Sequence, residues 1–152
     1  MNMPEIIELK ESFFDDRGFF TNIPLDIFPN GFTPTRMYFC ENFQSGTVRG
    51  FHFHRKEAKV FVCLRGTVKF VLLPEELVEE NSYHKYRPQV FTLTAKKPQL
   101  LYIPERWANG WQTLTDDALL LGMSNVTVKD SVNDDLRIDP HKYDEYWEVK
   151  WR

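Results

Sequence analysis

Short runs of apolar and β-branched residues, each closed by a turn signal, leave few folds open to this chain. Strands are expected near Ile6–Leu9, Gly18–Asn22, Thr35–Phe43, Val48–His54, Lys59–Arg65, Thr67–Leu73, Val90–Leu93, Gln99–Ile103, Trp107–Leu114 and Ala118–Val126. Arg65-Gly66-Thr67 joins two of the densest runs, which predicts a hairpin there. Helical composition is confined to Pro74–Glu80 and to the segment after Asn133. Many short strands with so little helix mean a sandwich or a barrel, and periodicity does not choose between them. No linker, repeat or low-complexity tract divides the 152 residues, so 1–152 reads as one domain. A chain of that length buries about 68–70% of its unfolded surface and needs no staples.

Charge narrows the function classes. Lys and Arg number 19 against 22 Asp and Glu, a net of −3, which is too balanced for a dedicated nucleic-acid binder. The aromatic cluster Tyr143-Asp144-Glu145-Tyr146-Trp147 contains two acids and no basic residue, so no nucleic-acid partner is expected and Trp147 and Trp151 read as packing residues. Cys40 and Cys63 both lie in apolar runs, as buried thiols of a reducing compartment do. The N-terminus lacks a basic region followed by an apolar stretch, and no run approaches the roughly 20 residues of a membrane helix. The expectation is a cytoplasmic protein with no membrane partner. Thirteen Phe, four Trp and six Tyr suit strands and ligand-stacking walls.

Chemistry concentrates in Gly50-Phe51-His52-Phe53-His54. A side-chain period of two puts His52 and His54 on one face of a strand, about 6.5–7 Å apart. Two imidazoles so placed are either a metal-ligand pair or hydrogen-bonded histidines on a polar face. Around them Arg49, Arg55, Lys56, Lys59, Arg65 and Lys69 stand against a single acid, Glu57. Such a stripe either faces water or draws an anion.

The spacing resembles the cupin jelly roll, whose first motif runs His-x-His, three or four residues, Glu, six residues, Gly, and whose second is Pro-x-Gly-x-x-His. Here His52 and His54 are followed by Lys59 at the Glu position and Gly66, and Pro104-Glu105-Arg106-Trp107-Ala108-Asn109 occupies the second motif. The resemblance implies an all-β cupin-type double-sheet jelly roll with a short C-terminal helical segment. Lys59 and Asn109 stand where two of the four metal ligands belong. An ammonium has no lone pair for a cation, so no metal and no other cofactor are expected.

Nearly end to end, the chain resembles the dTDP-4-dehydrorhamnose 3,5-epimerase family and its relatives the sugar 3,4-ketoisomerases. Asp16-Arg17-Gly18-Phe19-Phe20 is similar to the family's opening, Glu41-Asn42 to its Asp-Asn, and Arg49-Gly50-Phe51-His52 to Arg-Gly-Leu-His. Lys59-Val60-Phe61-Val62 resembles its Lys-Leu-Val run, and Tyr102-Ile103-Pro104 with Ala108-Asn109-Gly110-Trp111 its Trp-Ile-Pro and Ala-His-Gly-Phe. His54 and Tyr38 are ketoisomerase-like. The resemblance implies a nucleotide-sugar substrate and proton abstraction beside a carbonyl. His52 would be the base and Lys59 would polarise the carbonyl, with Tyr38, Tyr102, His54 and Cys63 all open as the second proton donor. Arg49 and Arg17 would clamp the diphosphate, with Phe20, Asn42, Tyr102, Asn109 and Trp111 completing the substrate site. Family members are mostly dimers with N-terminal strands pairing across the interface, so a homodimer is expected, with Ile6–Leu9 as the pairing strand.

Two family features have no match in the sequence. The acid tyrosine after the last core strand's apolar run is replaced by Gly122, and no aspartate follows the C-terminal tryptophan to orient the base. These differences keep a second reading open, a non-catalytic cupin that binds a sugar nucleotide or another anion. A metal-dependent oxygenase or phosphosugar isomerase is the third.

Overall fold

Each expected run becomes a strand, and two faces of unequal polarity decide how the strands stack. The computed structural model describes residues 1–79 and 85–149. Among these the strands are β1 (Glu5–Glu8), β2 (Ser12–Asp15), β3 (Gly18–Thr21), β4 (Arg36–Asn42), β5 (Val48–Phe53), β6 (Lys59–Arg65), β7 (Thr67–Pro74), β8 (Gln89–Thr94), β9 (Gln99–Ile103), β10 (Trp107–Thr113), β11 (Ala118–Ser124) and β12 (Leu136–Arg137). Short helices are α1 (Glu75–Glu79), α2 (Val128–Asn133) and α3 (Asp144–Trp147).

Two five-stranded antiparallel sheets face each other, in the orders β1-β9-β6-β11-β4 and β12-β5-β10-β7-β8. This is the expected double-sheet jelly roll. Between them lie Phe61, Cys63, Phe70, Leu72, Leu101 and Leu120. The outer face of the first sheet is covered by Phe28 and Phe32, which meet Val60, Val62, Leu100 and Tyr102. Tyr143 and Trp147, from the C-terminal helical turns, pack on Phe51, Phe53, Val71 and Leu73 of the second sheet. Each large side chain so buried stabilises the fold by about 1.5–3 kcal/mol. Trp147 is thus a packing residue, while Trp151 lies outside the described residues.

Two strands were not expected from the sequence. Ser12–Asp15 pairs with Gly18–Thr21 as a separate hairpin that leaves Phe13, Phe14, Phe19 and Phe20 exposed. Leu136–Arg137 interrupts a segment read as helical and adds an edge strand to β5. Glu75–Glu79 forms the expected helix, with Glu80 outside the described residues. Strand β1 pairs along β9 of its own chain. Among the described residues no helix is long and apolar enough to cross a membrane.

Candidate active site

A break in the register of β5 builds the site. Asn109 of β10 faces His52 and Trp111 faces Arg49, so two steps on β10 match three on β5. An extra residue reverses the alternation of the strand. Arg49 therefore falls on the same face as His52, although an unbroken strand would oppose them. Gly50 makes this possible, with φ at +135° and a position where a Cβ would lie 2.5 Å from Gly110 Cα.

His52 keeps a third of its side chain exposed and sets Nδ1 3.1 Å from Asp135 Oδ1. An ionised carboxylate accepts, so Nδ1 carries the hydrogen and the Nε2 lone pair is left for another partner. Asn109 Nδ2 donates to the His52 carbonyl at 3.2 Å and steadies the strand beneath it. Burial pushes the His52 pKa below its ordinary value, and the Asp135 charge partly opposes that. With its pKa lowered, the ring is neutral near pH 7 and able to accept a proton.

His54 differs sharply. Its side chain is 4% exposed, and both ring nitrogens have partners. Nε2 lies 3.2 Å from Glu57 Oε2, and Nδ1 lies 3.4 Å from Lys59 Nζ. Glu57 is buried too, and its carboxylate accepts from Arg36 Nη2 at 3.0 Å, Ser124 Oγ at 2.7 Å and Ser131 Oγ at 2.6 Å. Burial alone would raise the Glu57 pKa, but the Lys59 charge and the two hydroxyls outweigh it and hold the carboxyl ionised. Burial lowers the Lys59 pKa, opposed by Glu57 and Asp135. The basic stripe thus divides. Lys59 lies inside the barrel, whereas Arg55 and Arg65 make surface ion pairs with Glu79 and Glu41.

Tyr38 sits opposite Gly122 in the β4–β11 register. Its ring lies so close that a Cβ on Gly122 would meet Tyr38 Cζ at 2.4 Å. The phenol thus fills the space above the glycine that stands at the family's tyrosine position. Burial, then the Glu57 charge, raises the Tyr38 pKa and keeps the phenol protonated. At the barrel mouth Arg49 Nε donates to Asn42 Oδ1 at 2.6 Å, and Asn42 Nδ2 donates to Thr113 Oγ1 at 2.8 Å. Trp111 is buried beside them and stacks on Phe70.

Three expected site residues are not brought here. Tyr102 points to the opposite side of β9 from Leu101 and Ile103 and packs edge-on against Phe32, because successive side chains alternate. Arg17 pairs with Asp15 on the exposed β2–β3 hairpin, which also carries Phe20. Two residues that the sequence reading passed over do reach the site. Asp135 arrives through the pairing of β12 with β5, and supplies the carboxylate that the chain was expected to lack. Glu57 was visible only as the lone acid of a basic stretch. Among the described residues, no group of three or more His, Cys, Asp and Glu side chains is arranged to hold a metal ion.

The double-sheet jelly roll, with a carboxylate-paired imidazole and an interior lysine between its sheets, defines a cupin-like protein. The family model described as dTDP-4-dehydrorhamnose 3,5-epimerase matches residues 1–151, and the chain belongs to that family of nucleotide-sugar epimerases and isomerases. No curated protein sequence matches it significantly. Its fold is similar to the sugar 3,4-ketoisomerase QdtA from Thermoanaerobacterium thermosaccharolyticum, crystallised with TDP, at TM-score 0.70 and 24% identity over 94% of this chain and 93% of that one. It is also similar to the Bacillus anthracis dTDP-4-dehydrorhamnose 3,5-epimerase with TDP and PPi bound, at TM-score 0.73 and 22% identity over 89% and 78%. The Campylobacter jejuni TDP-quinovose 3,4-ketoisomerase WlaRB matches at TM-score 0.71 and 18% identity over 97% and 98%.

Proposed function

We propose that the protein is a metal-independent isomerase of a nucleotide-linked 4-keto-6-deoxyhexose, moving the keto group between neighbouring carbons. The observation that carries this is the unequal pair of histidines. Among the described residues His52 has one nitrogen on Asp135 and no partner on the other, whereas His54 has both nitrogens engaged. A single free base suits proton return to the adjacent carbon better than epimerisation at two positions.

His52 Nε2 takes the proton from C3, and the electron pair moves to O4. Lys59 offsets the negative charge there, and the Tyr38 phenol gives O4 its proton. The tyrosinate then removes the O3 proton while His52 returns its proton to C4. The product carries a 3-keto and a 4-hydroxyl group, and both residues regain their starting states. Arg49, held by Asn42, clamps the diphosphate, with Trp111 beneath. Lys59 at the usual Glu position and the filled valences of His54 leave a divalent cation few donors, which supports metal independence.

Wild-type protein in catalytic amounts should incorporate solvent deuterium into a TDP-4-keto-6-deoxyglucose pool and form the 3-keto isomer. Tight binding without wash-in would instead support the non-catalytic module. Tyr38→Phe should slow isomer formation by about 10²-fold or more, the lower range for an acid–base group. Equal product rates would remove Tyr38 from the mechanism. Arg49→Lys loses the forked donor and should weaken nucleoside diphosphate sugar binding by ~1.5–3 kcal/mol by calorimetry. An unchanged dissociation constant would return Arg49 to a surface role.

Four exposed phenylalanines on the β2–β3 hairpin, with Met37, Phe39 and Phe43 also exposed, support a homodimer. In it, the hairpin of one copy would carry Arg17 and Phe20 to the other's pocket. A monomer in sedimentation at micromolar concentration would remove that part. The free thiols Cys40 and Cys63 suit a cytoplasmic setting, and deoxysugar or polysaccharide biosynthesis is the fitting context.

A further inference from the structure

Glu57 has no place in the proton transfers above, yet its buried carboxylate accepts three hydrogen bonds and also meets His54. Its two oxygens face different groups. Oε1 accepts from Arg36 of β4 and Ser124 of β11. Oε2 accepts from Ser131 of α2 and faces His54 Nε2. Lys59 Nζ lies 3.9 Å from Oε2 and 3.4 Å from His54 Nδ1. Asp135 adds a contact of 3.6 Å to His54 Nε2. A neutral imidazole has one N–H and one lone pair, so its two contacts must be of opposite kinds. Two carboxylates on the Nε2 side and an ammonium on the Nδ1 side admit one arrangement. Nε2 donates, and Nδ1 accepts from Lys59.

We propose that Glu57 is a positioning residue that fixes His54 as the Nε2–H tautomer, so that His54 Nδ1 holds the Lys59 ammonium in the pocket. This rests on the role given to Lys59 in the reaction, but the tautomer itself does not. Burial and the neighbouring Lys59 lower the His54 pKa, which agrees with a neutral ring. The charges around the ring are Glu57 and Asp135 against Lys59, Arg36 and the more distant Arg137, with Asp134 nearby. A protonated His54 would aim an N–H at the Lys59 ammonium.

Glu57→Gln makes a directional test. Arg36 can only donate, so the amide carbonyl must take the Oε1 position and the NH2 the Oε2 position. That NH2 would point a hydrogen at His54 Nε2 and favour the Nδ1–H tautomer, which faces Lys59 hydrogen to hydrogen. Ser131 can turn to accept, so the swap need not unfold the protein.

Long-range 1H–15N spectra of ligand-free protein between pH 6 and 8 read the tautomer. The wild type should show neutral Nε2–H His54, and Glu57→Gln should show the other form. With saturating sugar nucleotide, the variant's kcat should fall about 10- to 100-fold, below the ~10²–10³ lost with an oxyanion donor outright. Its nucleoside diphosphate affinity should stay within about twofold, since Arg49 is untouched. A wild-type Nδ1–H tautomer overturns the proposal even if the variant fails to fold. So does a folded variant with unchanged tautomer and kcat. An inactive wild type with the Nε2–H tautomer would sink the reaction reading and the role of Lys59 in it, while the Glu57–His54 linkage would stand.

Discussion

His52→Asn is expected to lose deuterium wash-in by at least the ~10²–10⁴ that a general base contributes, while the fold and ligand binding persist. Asparagine can still donate to Asp135 and so keep the β12 pairing, but it has no basic nitrogen to present. The pH dependence of the wild type tests the same assignment. Burial lowers the His52 pKa, and Asp135 raises it partway back. The base must be neutral, so exchange should rise with pH through a midpoint below the ordinary histidine value of about 6.5 and then level off. Asp135→Asn removes the raising charge and should move that midpoint lower, with a slower plateau because the ring is less well held. Full exchange in folded His52→Asn protein would remove this mechanism. His54→Asn should instead cost stability first, because it leaves Glu57 and Lys59 short of a buried partner.

The divided fate of these two histidines shows where sequence reasoning reaches and where it stops. A period of two put both rings on one face, and both do meet Asp135. Strands β6 and β9 fell where expected because their apolar runs are bounded by clear turn signals. Lys59 was placed inside by the cupin register rather than by anything local, and it is buried. The partners that separate the histidines were not legible. Asp135 lies 83 residues from His52, and Ser124 lies 67 from Glu57. No periodicity carries such information; only the pairing of β12 with β5 and of β11 with β6 creates it. Tyr102 failed for a different reason. Both faces of β9 are covered by apolar residues, so alternation did not reveal which side was the pocket. At Gly122 the sequence shows the absent tyrosine and not the Tyr38 ring that fills the space above the glycine.

Gly50→Ala is expected to be the most damaging single-methyl change in the chain. At φ +135° an L side chain is strained by about 1–3 kcal/mol. The added Cβ would also lie 2.5 Å from Gly110 Cα and 3.0 Å from the Asn109 carbonyl oxygen. Both are backbone atoms of the adjoining strand β10, so no rotamer change relieves them, and overpacking adds about 1–3 kcal/mol. The combined loss, about 2–6 kcal/mol, rivals the 5–15 kcal/mol that holds a typical domain together. Chemical denaturation should show it as a large fall in midpoint. If the strand instead relaxes by expelling the extra residue, stability falls less, but the alternation of β5 is restored and Arg49 turns away from the His52 face. Nucleoside diphosphate binding should then drop at least as far as in Arg49→Lys. A Gly50→Ala protein with both wild-type stability and wild-type affinity would show that the register break neither strains the strand nor aims Arg49, and the site would have to be rebuilt without it.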